Sequence, residues 1–133
     1  MGAINNPEAV LDMVSVVLPA ADRTTTVTSA AISAVGKEQV VFLLHYGTIT
    51  DGTFTPSVTT SDAVGGTYAA DTTNISGALT AGTSSVDEQI VVFTWNVDPD
   101  KPFCKLVLTA SGSPATGGEM SAQALRLANN YRP

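Results

Sequence analysis

The chain has 133 residues, a net charge of −6 and only 14% charged residues. That length suits one domain able to bury about two thirds of the surface its unfolded form exposes, without metals or disulfides. The six basic residues, Arg23, Lys37, Lys101, Lys105, Arg126 and Arg132, are scattered and form no stripe that could neutralise several phosphates, so direct nucleic-acid binding is not expected. No apolar run approaches the roughly 18 residues of a membrane span, and the N-terminus lacks a basic region followed by an apolar one, so the expected product is non-membrane and made in the cytoplasm. Thr, Ser and Asn must supply the polar surface. So few charges leave little defence against edge-to-edge association, which favours a homo-oligomer.

In chain order, Asn6-Pro7-Glu8 reads as a helix start, with Asn6 as N-cap and Pro7 at the first helical position; the alternative is an extended arm ordered by a partner. Val14 to Leu18 is β-branched and is expected to form a short strand closed by Pro19. Residues 23–35 alternate small polar and apolar side chains, predicting one or two half-buried strands with a bend near Ser29-Ala30-Ala31. Glu38 to Tyr46 is the most apolar strand, with Val40, Phe42, Leu44 and Tyr46 on one face and Val41, Leu43 and His45 on the other. It is expected to be central and covered on both sides, or at an interface.

The segment 39–62 reads as an antiparallel hairpin. Thr50-Asp51-Gly52-Thr53 supplies the turn, because Asp-Gly favours the positive-φ geometry of primed turns, and Phe54 to Thr60 returns. Pro56 lacks a ladder donor, which puts that strand at an edge or bulge. Residues 61–85 are loose, with Val64, Tyr68, Ile75 and Leu79 as anchors and short strands expected near Tyr68 and Ile75. Val86 to Val97 alternates strongly and is broken by Asp98-Pro99-Asp100-Lys101-Pro102. Phe103 to Ala110 is the next strand. Met120 to Asn129 also suits a helix by composition, but its Gly117-Gly118 entry and alternation favour strand. The predicted fold is all-β: a single-domain antiparallel β-sandwich, jelly-roll or Ig-like, with about seven or eight strands. Residues 1–20 are expected to form the N-terminal arm and first strand, and residues 21–133 the sandwich.

No constellation of catalytic type stands out. His45, the only histidine, sits in a strand with no evident nucleophile or orienting partner. Cys104 alternates with Leu106 and Leu108 as a small core residue would. Asp87-Glu88 and Asp98-Pro99-Asp100 are carboxylate pairs without metal-loop spacing, and Asn74-Ile75-Ser76 is a formal glycosylation sequon. Tyr68 and Tyr131 lie outside the apolar runs and are the surface aromatics a sugar could stack on. The expectation is no enzyme, no metal and no cofactor.

Three segments together resemble a family of small virion proteins encoded among the head genes of tailed bacteriophages. They are VVFLLHYGTITDGTFTPSVTTSD, GGTYAADTTNISGAL and FCKLVLTASGSPATGGEMSAQALRLANNYRP, within residues 38–133. The shared pattern is a strand ending in Gly47-Thr48-Ile49-Thr50-Asp51-Gly52-Thr53, then Ser61-Asp62, an aromatic at Tyr68, and a closing strand pair with an Arg-Pro tail. The chain departs from the pattern at Pro56 and ends sooner after Tyr131 than expected. The resemblance implies a non-enzymatic structural protein of the virion, a capsid decoration or cement protein that binds the major capsid protein on the outside of the head, as a trimer. A minor head or head-fibre base protein is the alternative within the virion, and a carbohydrate-binding β-sandwich, as in a receptor-binding or adhesin module, is the alternative of another class.

Overall fold

The computed structural model describes residues 12–128. The expected helix or arm of residues 1–13 lies outside the described residues except for Asp12 and Met13, which are in a strand, and the C-terminal Tyr131 also lies outside them. The described chain is all strand and loop: β1 (Asp12–Arg23), β2 (Val27–Thr28), β3 (Ile32–Ser33), β4 (Lys37–Ile49), β5 (Thr53–Ser61), β6 (Ala69–Ala70), β7 (Ile75–Ser76), β8 (Gln89–Asn96), β9 (Phe103–Ser111) and β10 (Gly118–Ala128). Six long strands and four two-residue strands replace the seven or eight expected. The region 118–128 is a strand, as its alternation indicated, and the bend near Ser29 separates β2 from β3.

Two five-stranded antiparallel sheets face each other. Sheet A has the order β1-β10-β4-β8-β7, and sheet B the order β2-β9-β5-β6 with β3 also on β9. The pairings are nested: β1 with β10, β2 and β3 with β9, β4 with β8, β5 with β6. That nesting of first with last is the jelly-roll winding, and it decides against the Ig-like option.

The central segment is not a hairpin. β4 pairs with β8 and β10 in sheet A, whereas β5 pairs with β9 and β6 in sheet B. The Asp51-Gly52 turn is therefore an arch between sheets. Packing explains the difference. Val40, Phe42, Leu44 and Tyr46 on β4 and Phe54 and Val58 on β5 are all buried, and they meet one core from opposite sides. A hairpin would have set all of them on one sheet face and left them needing a separate cover. Gly52 does have the positive φ that its sequence signalled, 81°, and a side chain there would also strike Pro114. The closing strands β9 and β10 likewise lie in different sheets and do not form the expected pair.

The prolines sit where donors are not needed. Pro19 does not close β1, which runs on to Arg23; it falls in a register shift between Val17↔Ala122 and Ala20↔Met120 on an edge strand. Phe54 exchanges both backbone hydrogen bonds with Gly82 and Val58 accepts from Asp71, so alternate residues of β5 direct their backbone away from β9. Pro56 lies between those two contacts, at an unpaired stretch of the edge.

The core is aromatic at its centre. Trp95, Tyr46, Phe42, Phe54 and Phe93 are its largest fully buried side chains, and Phe42 stacks on its cross-strand neighbour Phe93 with centroids 5.3 Å apart. The Tyr46 hydroxyl donates to the carbonyl of Thr80 at 2.8 Å and to that of Phe54 at 3.3 Å, so the one polar atom of this large side chain is satisfied. On either side of β2, hydroxyls extend the ladder of β9. Ser29 Oγ accepts from the Leu106 amide at 2.9 Å, and Thr26 Oγ1 accepts from the Ala110 amide at 3.1 Å.

Candidate functional surface

The two sheets bury similar inner faces and present unlike outer ones. Strand alternation turns Val41, Leu43 and His45 of β4 outward together with Ile90, Val92 and Thr94 of β8 and Leu125 and Leu127 of β10. Cross-strand register sets them in rows: Leu125–Val41–Thr94, Gln123–Leu43–Val92 and Ser121–His45–Ile90. A further row, Leu127–Gln39–Asn96, is closed by a hydrogen bond from Gln39 Nε2 to Asn96 Oδ1 at 3.2 Å. None of these residues is Asp, Glu, Lys or Arg. Ile90 is 59% and Val92 51% exposed, so the β8 ends of two rows are wet in a single chain. The expectation that β4 is central holds, but its second face is only half-buried at Val41 and Leu43 and open at His45.

The outer face of sheet B is hydroxylated. Thr55 lies opposite Thr109, Ser57 opposite Val107 and Thr59 opposite Lys105. Lys105 lies over the Tyr68 ring at 4.4 Å, and the Tyr68 hydroxyl donates to the Val64 carbonyl at 2.9 Å. The ring is half-buried with a cation on its face, so it is not a free stacking platform. Val64 itself is exposed and anchors nothing by burial.

The other residues singled out by sequence are dispersed. His45 is exposed between Ile90 and Ser121 on the neighbouring strands. Cys104 is buried in sheet B, and burial pushes its thiol up to about 12, the environment of an inert core sulfur. Asp98 caps its own turn by accepting from the Asp100 amide at 3.0 Å. Asp87 accepts from the Ile49 amide and Glu88 from the Thr48 hydroxyl, both at 3.3 Å. These two acidic pairs flank opposite ends of β8, roughly 25 Å apart at strand rise, too far for paired-carboxylate chemistry at one sugar bond. No group of three or more His, Cys, Asp or Glu that could hold a metal ion occurs among the described residues.

Two carboxylates organise the loops, Asp51, which the sequence marked only as a turn residue, and Asp71, which it did not mark. Asp51 accepts backbone hydrogen bonds from Ala115, Thr116 and Gly117, tying the β4–β5 arch to the β9–β10 connection. Those bonds, from Gly117 first and then Ala115, hold its carboxyl below the usual range. Asp71 accepts from Trp95 Nε1 at 3.0 Å, from Asn74 Nδ2 at 2.9 Å, and from the Thr73 and Asn74 amides at 3.1 Å. Burial pushes its carboxyl up, and the side-chain bonds from Asn74 and Trp95 with the backbone bonds outweigh that, leaving it lowered. The Asp71-Thr72-Thr73-Asn74 composition of an Asx turn was the available signal. A shallow polar cleft of about 210 Å³ borders this turn, lined by Thr60, Asp71, Asn74, Asp98 and Lys101 among others. Because the sequon residue Asn74 and Asp71 are engaged with each other, the cleft is built chiefly of structural groups.

No family model and no curated protein matches the sequence. Solved structures do share the fold. The SPBc2 prophage-derived protein YomS superposes with a TM-score of 0.54 at 11% identity, covering 90% of this chain and 96% of that one. The VP2 subviral particle of infectious bursal disease virus gives 0.49 at 17% identity, over 91% of this chain and 33% of that one. The CBM22-1–GH10 segment of Clostridium thermocellum xylanase 10B gives 0.46 at 10% identity, over 92% and 26%. At these identities the likeness is one of fold alone, and it rests on the prophage-derived protein, which is covered nearly end to end.

Proposed function

We propose that this chain is a non-enzymatic structural protein of a bacteriophage particle, carried on the outside of the head, where it binds the major capsid protein and braces the shell. The observation that carries the reading is the two-sidedness of the sandwich. On one sheet the four rows across β10, β4 and β8 expose Ile90 and Val92 beside Val41 and Leu43 with no Asp, Glu, Lys or Arg among them, and the outer face of the other carries Thr55, Ser57, Thr59 and Thr109. A module that works alone in solution gains nothing from an open apolar face, whereas a component of an ordered assembly covers it. The head-gene resemblance of residues 38–133 and the fold shared with a prophage-encoded protein support the same reading. The carbohydrate-binding alternative has less to rest on, since Lys105 lies over Tyr68.

Particles of the phage that encodes this chain, purified by density banding and analysed by mass spectrometry, should contain it in many copies per head. Purified protein added to heads lacking it should bind saturably and raise the temperature at which they release DNA. Absence of the chain from banded particles would overturn the proposal.

A further inference from the structure

The arch between β4 and β5 makes two demands that meet in a chemically weak dipeptide. Residue 51 must be an acid, because its two carboxylate oxygens take up the amides of Ala115, Thr116 and Gly117. Residue 52 must be glycine, because its φ is 81° and a side-chain carbon there would lie 2.7 Å from Pro114 Cβ. The result is the chain's single Asp-Gly, in a sequence that has no Asn-Gly. Glycine after aspartate leaves the backbone nitrogen unhindered by a β-carbon and free to attack the aspartate's own side chain. In that reaction the Gly52 nitrogen bonds to Asp51 Cγ, the carboxyl hydroxyl and the amide hydrogen leave as one water, and a five-membered succinimide closes. Water then opens the ring at either carbonyl, restoring aspartate or leaving the main chain running through Cγ as isoaspartate. The water lost on closing is regained on opening, and nothing is oxidised or reduced.

We infer that Asp51-Gly52 is a latent site of aspartate isomerisation, held shut in the folded protein by the three amides of the β9–β10 connection. Ring closure needs Cγ to turn one face toward the Gly52 nitrogen with the reacting atoms in line, and it needs the carboxyl protonated so that water can leave. The cradle opposes both. The carboxylate oxygens are fixed by bonds of 3.0 Å from Ala115 and 3.1 Å from Thr116 and by a further one from Gly117. Thr50, the preceding residue, donates its amide to the Gly117 carbonyl at 2.8 Å, so neither the side chain nor the backbone of the arch turns alone. Amides directed at a carboxylate also favour its ionised form. Isomerisation undoes the lock permanently, because the carboxyl moves onto Cα and the arch gains one main-chain carbon. The three amides then lose their acceptor, and the tie between the arch and the β9–β10 connection does not re-form. The site is a property of the chain itself and stands or fails separately from the virion role.

The test follows the purified full chain over weeks at physiological temperature and neutral pH, folded in buffer and unfolded in guanidinium chloride. Isoaspartate at position 51 is counted by electron-transfer fragmentation of the peptide that contains it. The unfolded chain should accumulate it, and the folded chain should do so at least ~10-fold more slowly, since reaction waits on local opening of the cradle. Ala115→Pro and, separately, Thr116→Pro each delete one donor amide and leave Asp51 and Gly52 in place, so each should raise the rate in the folded state at least ~3-fold. Asp71→Ala, which loosens the loop between β6 and β7, should leave that rate unchanged. Where a proline variant fails to fold by circular dichroism, hydrogen exchange of the wild type decides, because the amides of Ala115, Thr116 and Gly117 should be protected to the same order as Asp51 is. Equal rates in the folded and unfolded wild type would overturn the inference, as would an unfolded chain that forms no isoaspartate. So would well-folded proline variants that age like the wild type, an Asp71→Ala variant that ages as fast as they do, or cradle amides that exchange as freely as those of an unfolded chain.

Discussion

The indole Nε1 of Trp95 donates to the carboxylate of Asp71 at 3.0 Å, and with the Asn96 amide, which donates to the Asn74 carbonyl at 2.8 Å, it ties the end of β8 to the loop between β6 and β7. Trp95 is fully buried beneath that loop. Asp71 also gathers the Thr73 and Asn74 amides and the Asn74 side chain, so a single carboxylate both shapes the loop and satisfies a donor that burial would otherwise strand. Asp71→Ala should cost about 1–3 kcal/mol of stability in urea unfolding, because the buried N–H loses its acceptor. Trp95 is the only tryptophan, so its emission should shift to the red as the loop loosens. Unchanged stability and emission would show that water replaces the carboxylate without loss.

Asp51 makes the acid limb of stability predictable in sign. Its backbone bonds from Gly117, Ala115 and Thr116 lower its carboxyl in the folded state relative to the unfolded one. The stabilisation is present above the unfolded pKa and is lost as pH falls through the folded one. The melting temperature should therefore be flat from pH 7 to 5 and fall below about pH 4, where Asp51 and the similarly lowered Asp71 take up protons. Asp51→Asn should lower the plateau and flatten the acid limb. A variant with the wild-type pH profile would mean that other carboxylates govern acid unfolding.

Strand identity was legible because alternation is local. Val40, Phe42, Leu44 and Tyr46, or Val91, Phe93 and Trp95, repeat every second residue, and that pattern fixes which side is buried whatever the partner. Partners were not legible, because β4 takes its neighbours from β8 and β10, far along the chain. The Asp51-Gly52 signal reports a needed positive φ, which an arch between sheets requires as much as a hairpin does. Only the destination of Phe54, opposite Ala110 on β9, separates the two. In β8, Ile90 and Val92 showed that both faces are apolar, but sequence cannot say whether the second is covered by the same chain or left open.

Gly82 is held between Tyr46 and the edge of β5. It exchanges backbone bonds with Phe54 at 2.9 Å in both directions, and a side-chain carbon there would lie 2.6 Å from Tyr46 Cε1 and 2.7 Å from Ile49 Cδ1. Neither ring nor isoleucine has room to retreat, since both are buried in the core. Gly82→Ala should cost on the order of 1–3 kcal/mol through overpacking. Tyr46→Phe in the same background removes the hydroxyl but not the clash, so it should not rescue stability. Stability unchanged by Gly82→Ala in thermal unfolding would show that the β5 edge moves away freely.

The last expectation concerns Cys104, the single cysteine of the chain. It lies in β9 opposite Thr60 and Ile32, fully buried, and desolvation pushes its thiol up to about 12. Thiolate is the reactive form, so both the proton and the lack of access protect it at neutral pH. Ellman's reagent should label the native protein only at the rate of unfolding, and should label it at once in denaturant. Cys104→Ala should leave head binding intact, at a stability cost of about 1 kcal/mol for the small cavity. Fast labelling of the native protein, or loss of head binding in a well-folded Cys104→Ala variant, would instead assign this thiol a role that the jelly-roll core does not explain.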